Sequence, residues 1–197
     1  EDPASHWVKV RESQQKVVDH LNSCLHFRYK SPVMDITFTT EGRTWINSDG
    51  KTNMPSGEVY TSPVEDSVNG FITFTLPSLY QGHMIENVKL EVKDGYIERW
   101  SSDNKTEILD DVFKIDGTRR VGEAAIGTNY RINRLTRNIL YDEKIGGTIH
   151  MAIGQSYLQS GGKNESTVHW DMISDMVNGG KIYADSELIY ENGTFII

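Results

Sequence analysis

Polar and apolar residues alternate in short runs along most of this chain, and tight turns fold the runs back on themselves. Val88-Lys89-Leu90-Glu91-Val92-Lys93 leads through Asp94-Gly95 into Tyr96-Ile97-Glu98-Arg99-Trp100. Asp-Gly accepts the positive φ angles of a two-residue turn, so the two runs read as an antiparallel hairpin. The end of the chain repeats the device, with Glu187 to Tyr190 and Thr194 to Ile197 flanking Glu191-Asn192-Gly193. Asp35 to Thr39 and Phe71 to Leu76 alternate in the same way, which turns one face of each strand inward and the other outward. One long helix interrupts the pattern: between about His6 and Cys24, the residues Trp7, Val10, Val17, Val18 and Leu21 share a face. A shorter helix is expected from about Lys105 to Phe113. The expectation is one α+β domain spanning residues 1–197. It has a mainly antiparallel or mixed β sheet, or a barrel-like core, with a long N-terminal helix and one or two shorter ones.

With 37% hydrophobic and 24% charged residues, the chain can bury a core and is too apolar for a disordered tail. The balance of 20 Lys+Arg against 28 Asp+Glu gives a formal charge of −8. That argues against a nucleic-acid partner, which calls for a basic stripe, and leaves room for the acidic pocket that a divalent cation requires. Cys24 is the single cysteine, so there is neither an internal disulfide nor a thiolate zinc site, and a reducing cytoplasm is the simplest fit. No apolar run approaches the roughly 18 residues of a membrane span, and no membrane partner is expected. The opening Glu1-Asp2-Pro3 lacks signal-peptide character and an initiator Met, and reads as a fragment boundary.

Several segments carry candidate chemistry. In Thr167-Val168-His169-Trp170-Asp171-Met172-Ile173 a strand would put His169 and Asp171 on one face. That is half of a divalent-metal site, or an ordinary His–Asp pair on a solvated face; the tripeptide leaves both open. In Gly146-Gly147-Thr148-Ile149-His150-Met151-Ala152-Ile153-Gly154, small residues flank His150 and leave space above it, for a metal or for nothing more than a sheet cap. Tyr157 follows in a loop and is placed to polarise a carbonyl or simply to pack. Glu58 is fixed between Pro55-Ser56-Gly57 and Pro63, and Glu123 sits among Gly122, Ala124 and Ala125. A carboxylate in so apolar a setting must be paired, protonated or metal-bound. Glu143, in an acidic turn, is a weaker candidate. Together these form the inventory of a mixed N/O two-metal hydrolase, but spacing alone does not show that they converge. A phosphoesterase would need a positive pocket, for which Arg119, Arg120, Arg131, Arg134 and Arg137 are the available residues.

The same stretches resemble the thermophilic metalloaminopeptidases of the aminopeptidase T and aminopeptidase S type. The matching segments include Glu41-Gly42-Arg43, Trp45 to Gly50, Met54 to Pro63, Gly122 to Asn129, Ile139 to His150, Gly161 to Ser166 and His169-Trp170-Asp171. The resemblance implies a co-catalytic pair of divalent cations, zinc or cobalt with manganese as a further option, held by Glu58, Glu123, His150, His169 and Asp171. Glu123 is expected to bridge the metals or take a proton, Tyr157 matches the family's catalytic tyrosine, and Glu143 is a ligand or a group behind the ligands. It also implies hydrolysis of the N-terminal bond of peptides with a free N-terminus, a homodimer, and a preceding α/β domain of which this chain is the C-terminal partner. The alternative is a non-catalytic metal-binding or dimerisation fragment. One departure stands beside Tyr157, where Leu158 occupies a place at which proline is expected.

Overall fold

The computed structural model describes residues 2–197. The chain begins with helix α1 (Pro3–Leu21), then strands β1 (His26–Ser31), β2 (Met34–Thr39), β3 (Ile46–Ser48), β4 (Glu58–Thr61) and β5 (Asn69–Phe74). The short β6 (Ser78–Tyr80) and β7 (His83–Ile85) precede β8 (Val88–Lys93), β9 (Tyr96–Ser101) and helix α2 (Thr106–Val112). The second half holds β10 (Val121–Gly127), helix α3 (Ile139–Asp142), β11 (Thr148–Gly154), β12 (His169–Asp175), β13 (Lys181–Ala184), β14 (Glu187–Glu191) and β15 (Thr194–Phe195).

Two open sheets result, with a small hairpin of β6 and β7 beside them. The larger has eight strands in the order β15-β14-β13-β1-β2-β5-β8-β9, the smaller five in the order β12-β11-β10-β4-β3. The strand pairings within these sheets are antiparallel. The ends of neither sheet join, so of the two expected architectures the sheet form holds and no closed barrel forms among the described residues. One continuous apolar core draws on both sheets: Phe27, Tyr29, Phe38, Ile72 and Leu90 from the larger, Val59, Ile126, Met151 and Met172 from the smaller.

Local sequence explains the boundaries. Helix α1 starts three residues before the apolar repeat, because Asp2 caps it by accepting from the Ser5 N–H at 3.0 Å and Pro3 takes the first turn. Its far end is tied down by Asn22, which accepts from the Trp45 N–H at 2.8 Å and donates to the Trp45 carbonyl at 3.2 Å. The Asp94-Gly95 turn has both φ angles positive, +47° and +74°, as a twisted hairpin requires. Helix α3 has only four residues and no apolar repeat to announce it. The Asn138 side chain caps it, and the buried Asp142 at its end accepts from the N–H groups of Thr136 and Arg137.

Candidate metal centre

The five-stranded sheet has two unlike faces. Val59, Ala124, Ile126, Ile149, Met151, Trp170 and Met172 face the core. The alternate positions carry Glu58 and Tyr60 on β4, Glu123 and Ala125 on β10, His150 and Ala152 on β11, and His169 and Asp171 on β12. Register aligns them in rows. Glu123, Ala152 and Asp171 lie side by side across three strands, and the adjacent row holds Tyr60, Ala125 and His150. Alanine in each row leaves open space between the longer side chains.

A bulge in β10 between Val121 and Glu123 sets this alignment. It falls at Gly122, where an added Cβ would lie 2.4 Å from the Gln155 carbonyl oxygen. That same oxygen receives the His169 ring nitrogen Nδ1 at 2.8 Å. The bond keeps a proton on Nδ1 and turns Nε2 into the site, the usual way a backbone carbonyl orients a liganding histidine. Glu58 is positioned by Gly57, whose φ of +120° and contact with Asn129 leave no room for a side chain.

The groups named from the sequence meet at one place. His150 Nε2 lies 3.4 Å from Glu58 Oε2 and 3.7 Å from Glu123 Oε1. His169 Nε2 lies 3.1 Å from Glu123 Oε2 and 3.3 Å from Asp171 Oδ1. Two potential ligand sets result, Glu123–His169–Asp171 and Glu143–His150–Asp171, each with its ligand atoms within 4.8 Å of one another. Asp171 belongs to both sets, and Glu123 reaches both histidines. Glu58 Oε2, His169 Nε2 and Asp171 Oδ1 are nevertheless buried with no hydrogen-bond partner. Polar atoms that crowd together at ion-pair distance without hydrogen-bond geometry are costly in a protein interior. The donor set fits divalent cations: imidazole and carboxylate, with no thiolate.

Lys144 is the residue that the sequence did not reveal. Its side chain is 0% exposed, with Nζ 3.2 Å from Glu58 Oε1 and in contact with the Glu143 carboxylate. Its flanks, Ile145-Gly146-Gly147 before a fully buried strand, are the one signal that this lysine points inward. Burial works against its charge, but Glu58 and Glu143 outweigh it and raise its pKa. Two of the site's carboxylates, Glu58 and Glu143, thus share one buried cation. Burial pushes Glu58 up to about 7 against the pull of His150 and Lys144. Burial alone would lower the histidines, yet the surrounding carboxylates lift His150 to about 9 and His169 to about 11. A field that draws protons onto imidazoles in this way also draws metal cations.

Tyr157 stands at the rim, its ring 5.0 Å from that of His169 and 5.3 Å from that of Tyr60. Burial, and then the charges of Glu123 and Asp171, raise its pKa, so the hydroxyl keeps its proton. Leu158 is 79% exposed and begins a 3₁₀ turn, Leu158–Ser160. The loop is secured elsewhere: the Tyr157 N–H donates to Ser62 Oγ at 3.2 Å, the Thr44 N–H to the Ser160 carbonyl at 3.0 Å, and the Arg43 guanidinium to the Gly161 carbonyl. A pocket of about 370 Å³ opens over the site, bounded by Glu58, Glu123, Glu143 and Tyr157 on one side and by Asn47, Asp49 and Asn53 on the other. No arginine lines it. Arg119 and Arg120 instead pack on the Tyr96 ring and donate to the carbonyls of Ile97 and Glu65, and Arg131, Arg134 and Arg137 are exposed.

Comparison with known proteins places the chain. It is 30% identical to aminopeptidase PepS of Streptococcus thermophilus over 100% of its length and 55% of that protein. It is 29% identical to aminopeptidase AmpS of Bacillus subtilis over 99% of its length and 55% of that protein. The chain therefore spans about half the length of the curated relatives it matches. These alignments run over 232 and 229 positions, more than the 197 residues of the chain, so the relatives carry segments inside the matched region that this chain lacks. Wild-type AmpT from Thermus thermophilus superposes with a TM-score of 0.86 at 22% identity, over 99% of this chain and 56% of that one. The 2,5-dihydroxypyridine dioxygenase from Pseudomonas putida KT2440 superposes at 0.75 and 18% identity, over 91% and 57%. At those identities the two structures speak for the fold alone. The profile of the thermophilic metalloprotease family M29 matches residues 1–195, and the chain belongs to that family.

Proposed function

We propose that this chain is the C-terminal catalytic domain of a metal-dependent aminopeptidase that removes the N-terminal residue of peptides with a free N-terminus. Two divalent cations, zinc or cobalt with manganese as a further option, would be held by Glu58, Glu123, Glu143, His150, His169 and Asp171. The observation that carries this reading is the set of buried, unpartnered ligand atoms on Glu58, His169 and Asp171, converging on one sheet face with His150 and Glu123. Bound there, divalent cations supply a water of lowered pKa and polarise the scissile carbonyl.

The chain's own residues do the rest. Glu123, between the two histidines, takes the proton that the attacking water loses as its oxygen bonds to the carbonyl carbon. It returns that proton to the departing amine when the C–N bond breaks. Tyr157, protonated and partly exposed at the rim, donates to the developing oxyanion. Lys144 fixes Glu58 and Glu143 and offsets one negative charge. The surplus of carboxylates attracts a cationic α-amine, which favours an exopeptidase. A homodimer, and a cytoplasmic setting suited to a lone cysteine, complete the reading.

The alternative, a non-catalytic metal-binding or dimerisation fragment, draws support from the chain's spanning only about half of its relatives. The two are separated by metal content and hydrolysis of a leucine anilide after loading with zinc or cobalt, with His169→Ala as control. About two ions per chain and turnover lost in the variant support the aminopeptidase. Binding without turnover supports a metal-binding fragment, and no binding sinks both metal readings and leaves only the dimerisation fragment.

A further inference from the structure

Gln14 lies on the apolar stripe of α1, four residues before Val18 and seven before Leu21, where a leucine would be ordinary. It is only 4% exposed. Its amide nitrogen donates to Asn47 Oδ1 at 2.8 Å, to the Ser48 carbonyl at 3.0 Å and to the Glu58 carbonyl at 3.2 Å. Its Oε1 accepts from Thr128 Oγ1 at 3.1 Å. Asn47 is oriented for this in turn, since its own amide donates to the Arg11 carbonyl and to Gln15 Oε1. One side chain thus joins α1 to β3, to β4 and to the end of β10.

The place where it does so is mechanically weak. Ser48, Glu58 and Gly127 are paired across β3, β4 and β10. Glu58 is the first residue of β4, and its neighbour β3 is a three-residue strand at the edge of the sheet. Strand ends beside short edges open most readily. Any opening there carries the Glu58 carboxylate away from His150.

We propose that Gln14 is a positioning residue for the metal centre, holding the start of β4, and with it Glu58, in the place from which Glu58 acts as a ligand. This rests on the metal-binding reading above. The test is calorimetric titration of the whole chain with zinc alone, alongside the thermal midpoint of the metal-free protein. Gln14→Met keeps the bulk and removes the amide. Ile189→Ala, in the larger sheet, loosens the core at a residue that makes none of the clamp's hydrogen bonds. Gln14→Met should weaken zinc binding by about tenfold or more, as loss of an outer partner of a metal ligand does. Ile189→Ala should lower the midpoint and leave affinity in place. If Gln14→Met does not fold, Thr128→Val removes only the bond that orients the amide, with a smaller, several-fold loss expected. Zinc affinity unchanged in these variants overturns the clamp and leaves the metal centre standing. A wild-type chain that takes up neither zinc, cobalt nor manganese overturns the metal reading and the clamp with it.

Discussion

A side chain at position 122 would displace the Gln155 carbonyl, the group that fixes which His169 nitrogen faces the site. Gly122→Ala adds one carbon far smaller than any ligand, and zinc affinity should fall by about tenfold to a hundredfold, measured by calorimetry. Unchanged affinity would show that the carbonyl shifts harmlessly. The elevated pKa values of His150 and His169 have a second consequence. Both imidazoles hold protons at neutral pH in the metal-free protein, and these must leave as a metal enters. Zinc affinity should therefore rise as pH climbs from about 6.5 to 9, with protons released into the buffer. A flat profile across that window would contradict the arrangement of charges. At this scale the candidate residues stood out in the sequence because glycine, alanine and proline surround them. Lys144 and Gln14 did not, because each looks like an ordinary surface residue until its neighbours in space are known.

Hairpins were the most legible elements, since a two-residue turn states its own geometry. Gly95 has a positive φ, and a Cβ there would come within 1.8 Å of the Glu65 carbonyl oxygen. Gly95→Ala should destabilise the fold by more than about 1 kcal/mol, seen as a lower urea midpoint at unchanged slope. Zinc affinity should stay the same, because β8 and β9 belong to the other sheet. An altered affinity would show that the two sheets are coupled. The start of α1 was set by its cap and first-turn proline rather than by the apolar repeat. Helix α3 escaped notice because four residues carry no periodicity. Its last residue, the buried Asp142, ties it to the segment just before it, accepting from the N–H groups of Thr136 and Arg137 and from the Thr136 hydroxyl.

On the scale of the whole molecule, antiparallel sheet character could be read from alternation, but the division into two open sheets could not. Strand order depends on contacts between segments far apart in sequence, such as β1 with β13. The convergence of the site depends on the same information: the rows that join Glu123 to Asp171 and Tyr60 to His150 exist only once register is fixed. Helix α1 also lies against β3, the last strand of the smaller sheet, and this bears on how far the chain can be shortened. Without residues 2–21, β3 loses the helix packed against it and the buried Val18 and Leu21 leave the core, so the edge beside them is uncovered and open to further copies. Such a chain should sediment as large, insoluble aggregates while the parent remains in solution. A clear, slowly sedimenting preparation of the shortened chain would show that the helix does not shield that edge.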